Sequence, residues 1–117
     1  MSAPILAVKF FRTEVGNEPV REFLRELYPE ERKIMGIDLK EVQYGWPLGM
    51  PLVRKMEKDL WEVRSRLPNK IVRVLFTVVA GNMVLLHVFI KKSEKTPKSD
   101  LETARQRLRQ LSGGRNE

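Results

Sequence analysis

At 117 residues, 42% apolar and 32% charged, the chain suits one globular domain, 1–117 with a core over about 5–111, and is too apolar to stay disordered. The absence of cysteine excludes disulfide scaffolds, thiolate metal sites and Cys nucleophiles, and a lone histidine, His87, excludes a His-rich metal site. Twenty-two Lys and Arg against 15 Asp and Glu leave a net charge of +7, which favours a polyanionic partner.

Ile5 to Phe11 reads as a first strand, apolar on both faces except at Lys9, and so central in a sheet. No basic segment precedes it, so a signal peptide is not expected and a cytoplasmic location is. Gly16-Asn17 breaks the strand, and Asn17 suits the cap of a helix that carries Pro19 in its first turn. Val20, Phe23, Leu24 and Leu27 fall on one face of that helix. Pro29 opens a second helix, with Glu30 and Glu31 at its positive end and Met35, Leu39 and Val42 as its apolar stripe. It ends near Tyr44, where Gly45 suits the cap. So short a link between the two implies an antiparallel helical hairpin.

Trp46 to Pro51 is a loop dense in helix and strand breakers. Beyond it the charge changes. Residues 1–53 carry a net −1 and residues 54–117 a net +8. Leu60 to Leu67 alternates as a strand, with Trp61, Val63 and Ser65 on one face and Glu62, Arg64 and Arg66 on the other. Ile71 to Val79 is a β-branched strand, and Gly81-Asn82 is a hairpin turn signal. Val84 to Ile90 follows, with His87 and Phe89 sharing a face with Leu85. Three strands with tight turns make an antiparallel meander. Ser99-x-x-Glu102 resembles a capping box for a last helix, where Leu101, Ala104, Leu108 and Leu111 share a face and Gly113-Gly114 stops the run. The fold class is α+β: N-terminal strand, helical hairpin, three-stranded meander completing one sheet, and C-terminal helix. The longest apolar stretch, Val72 to Ile90, is interrupted by Arg73, Thr77, Gly81, Asn82 and His87, so no membrane span is expected.

Nucleotide-binding glycine loops and hydrolase motifs are absent. Chemistry must come from placement. Arg64 and Arg73 lie inside strands, where a guanidinium needs either a carboxylate or a phosphate. An Arg64–Glu62 ion pair is one outcome and a phosphate clamp the other. Lys91, Lys92, Lys95 and Lys98 form either a solvated turn or a basic rim beside the sheet. His87 is either a satisfied half-buried residue or a general acid or base. Glu62 is either a counter-ion or a base. Arg54, Lys55 and Lys58 precede the meander and can line the same groove. Trp46 either packs beneath its loop or stacks a base.

Several short motifs then combine. They are Gly16-Asn17-Glu18-Pro19-Val20-x-x-Phe23-Leu24, Leu60-Trp61-Glu62-Val63-Arg64, Arg73-Val74-Leu75-Phe76, Leu85 through Lys92, and Lys95-Thr96-Pro97 before a helix with Ala104-x-x-x-Leu108. In this order and spacing the sequence resembles the HigB-like branch of the RelE/ParE toxin superfamily. The resemblance implies the toxin of a type II toxin–antitoxin pair, with a helix-turn-helix antitoxin as partner and operator DNA contacted only through it. It also implies a ribosome-dependent mRNA endoribonuclease that cuts in the A site without metal or cofactor, by attack of the ribose 2′-OH on the adjacent phosphate. By motif position the reaction would fall to Arg64 and Arg73 on the phosphate, and to Lys91 or Lys92 on phosphate or leaving group. Glu62 and His87 are the acid/base candidates, while Arg54, Lys55, Lys58, Lys95 and Lys98 hold the RNA. Asp59 stands where the family often has Gly, and no tyrosine occurs in the C-terminal half. Two other readings compete: a ParE-like, non-enzymatic inhibitor of DNA gyrase, and a degenerate basic module held in an antitoxin complex. An antitoxin should cover the basic face with acidic or apolar residues.

Overall fold

The computed structural model describes residues 3–113. Eight elements follow the chain: β1 (Ala7–Phe10), α1 (Pro19–Arg25), α2 (Pro29–Gly45), β2 (Val53–Glu57), β3 (Leu60–Leu67), β4 (Lys70–Val79), β5 (Asn82–Ile90) and α3 (Lys98–Gly113). The strands make one sheet in the order β1-β5-β4-β3-β2. This is an α+β fold of five strands and three helices.

The meander has four strands, where the sequence reading has three. Val53–Glu57 pairs antiparallel with β3, from Val53↔Val63 to Glu57↔Leu60, with an irregularity between Lys55 and Glu57. Its charges mask it: Arg54 and Lys55 are exposed and only Val53 is buried, so no clean apolar alternation marks the strand. The first strand is a second correction. It lies at the sheet edge, parallel to β5 alone, from Ala7↔Asn82 to Phe10↔Leu85. One of its faces, Val8 and Phe10, packs on the larger core, while Ala7 and Lys9 on the other are exposed.

α1 packs mainly on β5 and α2 on β3, so each helix takes its main partner from the sheet and not from the other helix of an expected hairpin. Val20, Leu27, Met35, Leu39 and Val42 meet Val63, Val72, Val74, Phe76 and Leu85 in the larger core. The loop after α2 closes this side, with the Trp46 ring 5.1 Å from Trp61 and 5.8 Å from Phe76. Trp46 is therefore a packing residue. On the opposite face α3 sets Ala104, Leu101 and Leu108 on Leu60, Leu75, Val84 and Leu86. No helix among the described residues is long and apolar enough to cross a membrane.

Local signals shift by small steps. Asn17 sits in a turn with Thr13, while Glu18 is the N-cap residue of α1. The last helix begins at Lys98, one residue before the expected cap, so Ser99 lies within it. Glu102 meets Arg105 and Arg109 instead of its own helix start. Gly113 ends the described helix, and Gly114 lies outside the described residues. Gly45 is still helical and Trp46 is the C-cap. In β5 a register shift opposite Leu75/Phe76 puts Leu86 and His87 on the same side of the sheet. This overturns simple alternation: Val84 and Leu86 join the α3 face with His87 and Phe89, while Leu85 turns to the larger core.

Two tight turns hold L-residues in the left-handed region. Asp59 has φ 61° between β2 and β3, and Ala80 has φ 50° beside Gly81 at 77° between β4 and β5. An alanine gains nothing there to offset the contact of its Cβ with the backbone. Ala80→Gly should raise stability by about 0.5–1 kcal/mol in urea unfolding.

α3 is also tied down by Arg105, which grips Glu57 at 2.8 and 3.0 Å. That grip holds the Glu57 carboxyl below its ordinary value of 4.5. A lowered folded-state pKa gives stability that is present above the unfolded value and lost as pH falls through the folded one. The stability gap between the wild type and Glu57→Gln should therefore be constant above about pH 5.5 and close as the pH drops below 4.5. Urea midpoints across pH check this.

Candidate functional site

Pairing in register gathers the candidate side chains on the α3 face of the sheet. Arg54 stands opposite Glu62, Glu62 opposite Leu75, and Leu75 opposite His87. In the next row Arg64 stands opposite Arg73, and Arg73 opposite Phe89. Arg66 and Lys91 continue the face, with the Lys91 amide bonded to the Ile71 carbonyl. α3 covers β5 and part of β4 and reaches Leu60 and Glu57 at one end of β2 and β3, while Arg54 and Arg66 farther along stay exposed.

Two of these residues are shut away from water. Glu62 is 0% and Arg73 1% exposed. Arg73 Nε lies 3.6 Å from Glu62 Oε1, an ion contact just beyond hydrogen-bond range. Their other atoms hold the loop after β5. Arg73 Nη1 donates to Thr96 Oγ1 at 3.3 Å and Nη2 to the Glu94 carbonyl at 3.2 Å. The Thr96 hydroxyl donates to Glu62 Oε2 at 3.0 Å. Of the two outcomes open for Arg64, the ion pair with Glu62 is not formed; Arg73 takes that place. Arg64 remains half-buried, and Arg54 and Arg66 are exposed. None of the three meets a carboxylate among the described residues.

The loop carries lysines. Lys91 Nζ bonds Glu94 at 2.9 Å and holds its carboxyl below the ordinary range, assisted by Arg64 and Arg73. Lys95 and Lys98 are exposed at the loop and the start of α3. Three expected groups lie elsewhere. Lys55 is on the other face, with its ammonium 5.9 Å from the Trp61 ring centre. Lys58 is in the β2–β3 turn, at the far end of β3 from Arg66. Lys92 lines a small cavity with Phe23, Phe89, Ile90, Pro97 and Asp100.

His87 is half-buried, and both its ring nitrogens are engaged. Nε2 is 2.7 Å from Asp100 Oδ1, and Nδ1 faces Arg107 Nη1 at 3.5 Å. A guanidinium only donates, so Nδ1 is the acceptor and Nε2–H the donor to Asp100. Arg107 also donates to the Leu86 carbonyl at 2.8 Å, and burial lowers its pKa. His87 thus braces β5 against α3. Asp100, Arg107 and Thr96 escape sequence reasoning because their partners are 13 or more residues away. Arg66 carries a signal: it shares the period-2 face of Glu62 and Arg64. Among the described residues no three His, Asp or Glu side chains gather as a metal-binding cluster.

This arrangement presents an open row of guanidiniums and a lysine loop, set on a buried charged brace. It suits a chain of phosphates, for which Arg supplies bidentate donors.

Comparison with known proteins agrees in direction. The pattern of the phage-derived Gp49-like proteins matches residues 22–109. Proteins called probable endoribonuclease HigB1, from Mycobacterium tuberculosis strains CDC 1551 / Oshkosh and ATCC 25618 / H37Rv, are 31% identical over 96 residues. That span is 82% of this chain and 77% of theirs.

The brace yields a prediction. Glu62→Leu leaves the Arg73 charge buried without a partner and should cost about 3–5 kcal/mol. Adding Arg73→Met should recover most of that loss, because no buried charge then remains. Denaturant unfolding of both variants reads the difference.

Proposed function

The chain belongs to the family of phage-derived Gp49-like proteins, and from that premise we propose that it is the toxin of a toxin–antitoxin pair, a HigB-like endoribonuclease. The carrying observation is the row of Arg54, Arg64 and Arg66. These guanidiniums lie on one sheet face without carboxylate partners among the described residues, and Arg64 is half-buried. The 31% identity to proteins called probable endoribonuclease supports the reading. The substrate is mRNA in the ribosomal A site, and its cleavage halts translation in the cytoplasm. The resemblance to the RelE/ParE superfamily motivates this choice.

In this reading the RNA backbone lies along β2 and β3. Arg64 contacts the scissile phosphate, where partial burial strengthens its hold. Arg54 and Arg66 take the neighbouring phosphates, and Lys95 and Lys98 extend the attraction. Lys91 stands at the edge of the phosphate site and supplies charge to the leaving oxygen once RNA competes with Glu94. Arg73 and Glu62 act as positioning residues that hold the lysine loop. The reaction is attack of the 2′-oxygen on the adjacent phosphorus. The 2′-OH loses its proton, and the 5′-oxygen of the next nucleotide leaves with one. The products are a 2′,3′-cyclic phosphate and a 5′-OH. Guanidiniums favour this step by meeting charge that develops on the phosphorane oxygens. A helix-turn-helix antitoxin would silence the toxin by covering the arginine row with acidic or apolar residues.

The test incubates the purified protein with mRNA on ribosomes and maps the 5′ ends. Cuts within A-site codons are expected. Arg64→Ala should fold normally and cleave about 100-fold more slowly, the usual cost of one lost transition-state donor. Intact mRNA with the wild-type protein overturns the proposal.

A further inference from the structure

The small cavity at the end of β5, across β4 from Arg64, has a composition of its own. It measures about 370 Å³ and is lined by Phe23 of α1, Phe89 and Ile90 of β5, Lys92 and Pro97 of the loop, and Asp100 of α3. It lies where β1 has already stopped pairing: β1 reaches only Leu85, so the last part of β5 has no strand on that side. Four of its six lining residues are apolar. Two are ionisable and of opposite sign, and they do not pair with each other. Asp100 Oδ1 accepts from His87 Nε2–H, and its Oδ2 has no partner among the described residues. Lys92 likewise has none there, and its side chain is exposed.

Aromatic walls with one carboxylate and one ammonium are the pattern that holds an unstacked base by its face and reads it by its edge. Resting on the reading of the chain as an RNA-cutting toxin, we propose that this cavity binds a guanine of the substrate RNA. The Watson–Crick edge of guanine offers two adjacent donors, N1–H and N2–H, beside the O6 acceptor. Asp100 accepts from the donors and Lys92 donates to O6. Adenine and cytosine would turn a ring-nitrogen lone pair towards the carboxylate. Uracil offers only one donor. The contact between Asp100 and His87 fixes the carboxylate before the base arrives, which lowers the ordering cost of binding.

Position supports the same occupant. Phe89 stands opposite Arg73, and Arg73 opposite Arg64, so Phe89 lies two strand spacings, roughly 10 Å, from the proposed phosphate contact. Lys91 continues β5 beside them, next in chain to Lys92. A strand whose phosphates follow the arginine row would pass over the loop that covers Arg73 to place one base at the end of β5.

The experiment titrates GMP, AMP, CMP and UMP into the full chain and follows the aromatic signals of Phe23 and Phe89 by NMR. The common phosphate controls for binding at the arginines. GMP should move both rings and bind at least about fivefold more tightly than UMP. Lys92→Met and Asp100→Asn should each bring GMP down to the level of UMP, with the fold checked by thermal melting. Equal affinity for all four nucleotides, or shifts confined to the arginine row, overturns the proposal. RNA cleavage is scored separately. Selective GMP binding without RNA cleavage would uphold the cavity and defeat the toxin reading. RNA cleavage with both rings unmoved by GMP would do the reverse.

Discussion

A guanidinium and a carboxylate excluded from water must neutralise each other or weaken the fold, and Arg73 and Glu62 are held to that condition at the centre of this sheet. Their strands alone do not satisfy them. Arg73 has further N–H groups and Glu62 a second oxygen, and the loop after β5 supplies the missing partners through the Thr96 hydroxyl and the Glu94 carbonyl. The pair thus fixes the path of a segment that has no regular structure of its own. Lys91, Lys92 and Lys95 all ride on that segment. The position of the lysines is a consequence of a charge pair that the lysines do not touch.

The same sheet separates two kinds of surface. Its larger core faces α1 and α2, which belong to the half of the chain with net charge −1. The other face is only partly covered by α3 and carries Arg54, Arg64 and Arg66. Period-2 alternation in β3 makes this separation, because it sends Trp61 and Val63 one way and Glu62, Arg64 and Arg66 the other. A polyanion approaching the α3 face meets guanidiniums without carboxylate partners among the described residues.

Much of this was legible in the sequence, and the misses have physical causes. β3, β4 and β5 announced themselves through alternation, β-branched runs and turn signals. α2 announced itself through Pro29 and the stripe of Met35, Leu39 and Val42. β2 stayed hidden because an edge strand with Arg54 and Lys55 exposed lacks apolar alternation. The shift at Leu86 stayed hidden because a single extra residue leaves composition unchanged while reversing the faces before it. Arg73 and Arg64 looked alike in sequence, each a guanidinium in a strand. Only the fold decides that Arg73 lies under the loop and Arg64 beside open solvent. The partnership of His87 with Asp100 depends on how α3 crosses β5, which no local pattern encodes.

These placements constrain any RNA chemistry at the face. Glu62 is buried, with one oxygen on Thr96 and the other against Arg73. His87 has Asp100 on one nitrogen and Arg107 near the other. Glu62 is shut away from solvent, and the Nδ1 lone pair of His87 already faces Arg107, so neither is placed to meet a 2′-OH. The groups that do face outward are cations. If the chain cuts RNA as proposed, its catalytic power must come mainly from orienting the 2′-oxygen in line and from fixed positive charge around the phosphorane. General-base assistance would be the smaller share. A site of that kind suits a substrate already ordered by a larger partner, since the ribosome would hold the codon in place and leave the toxin to supply charge.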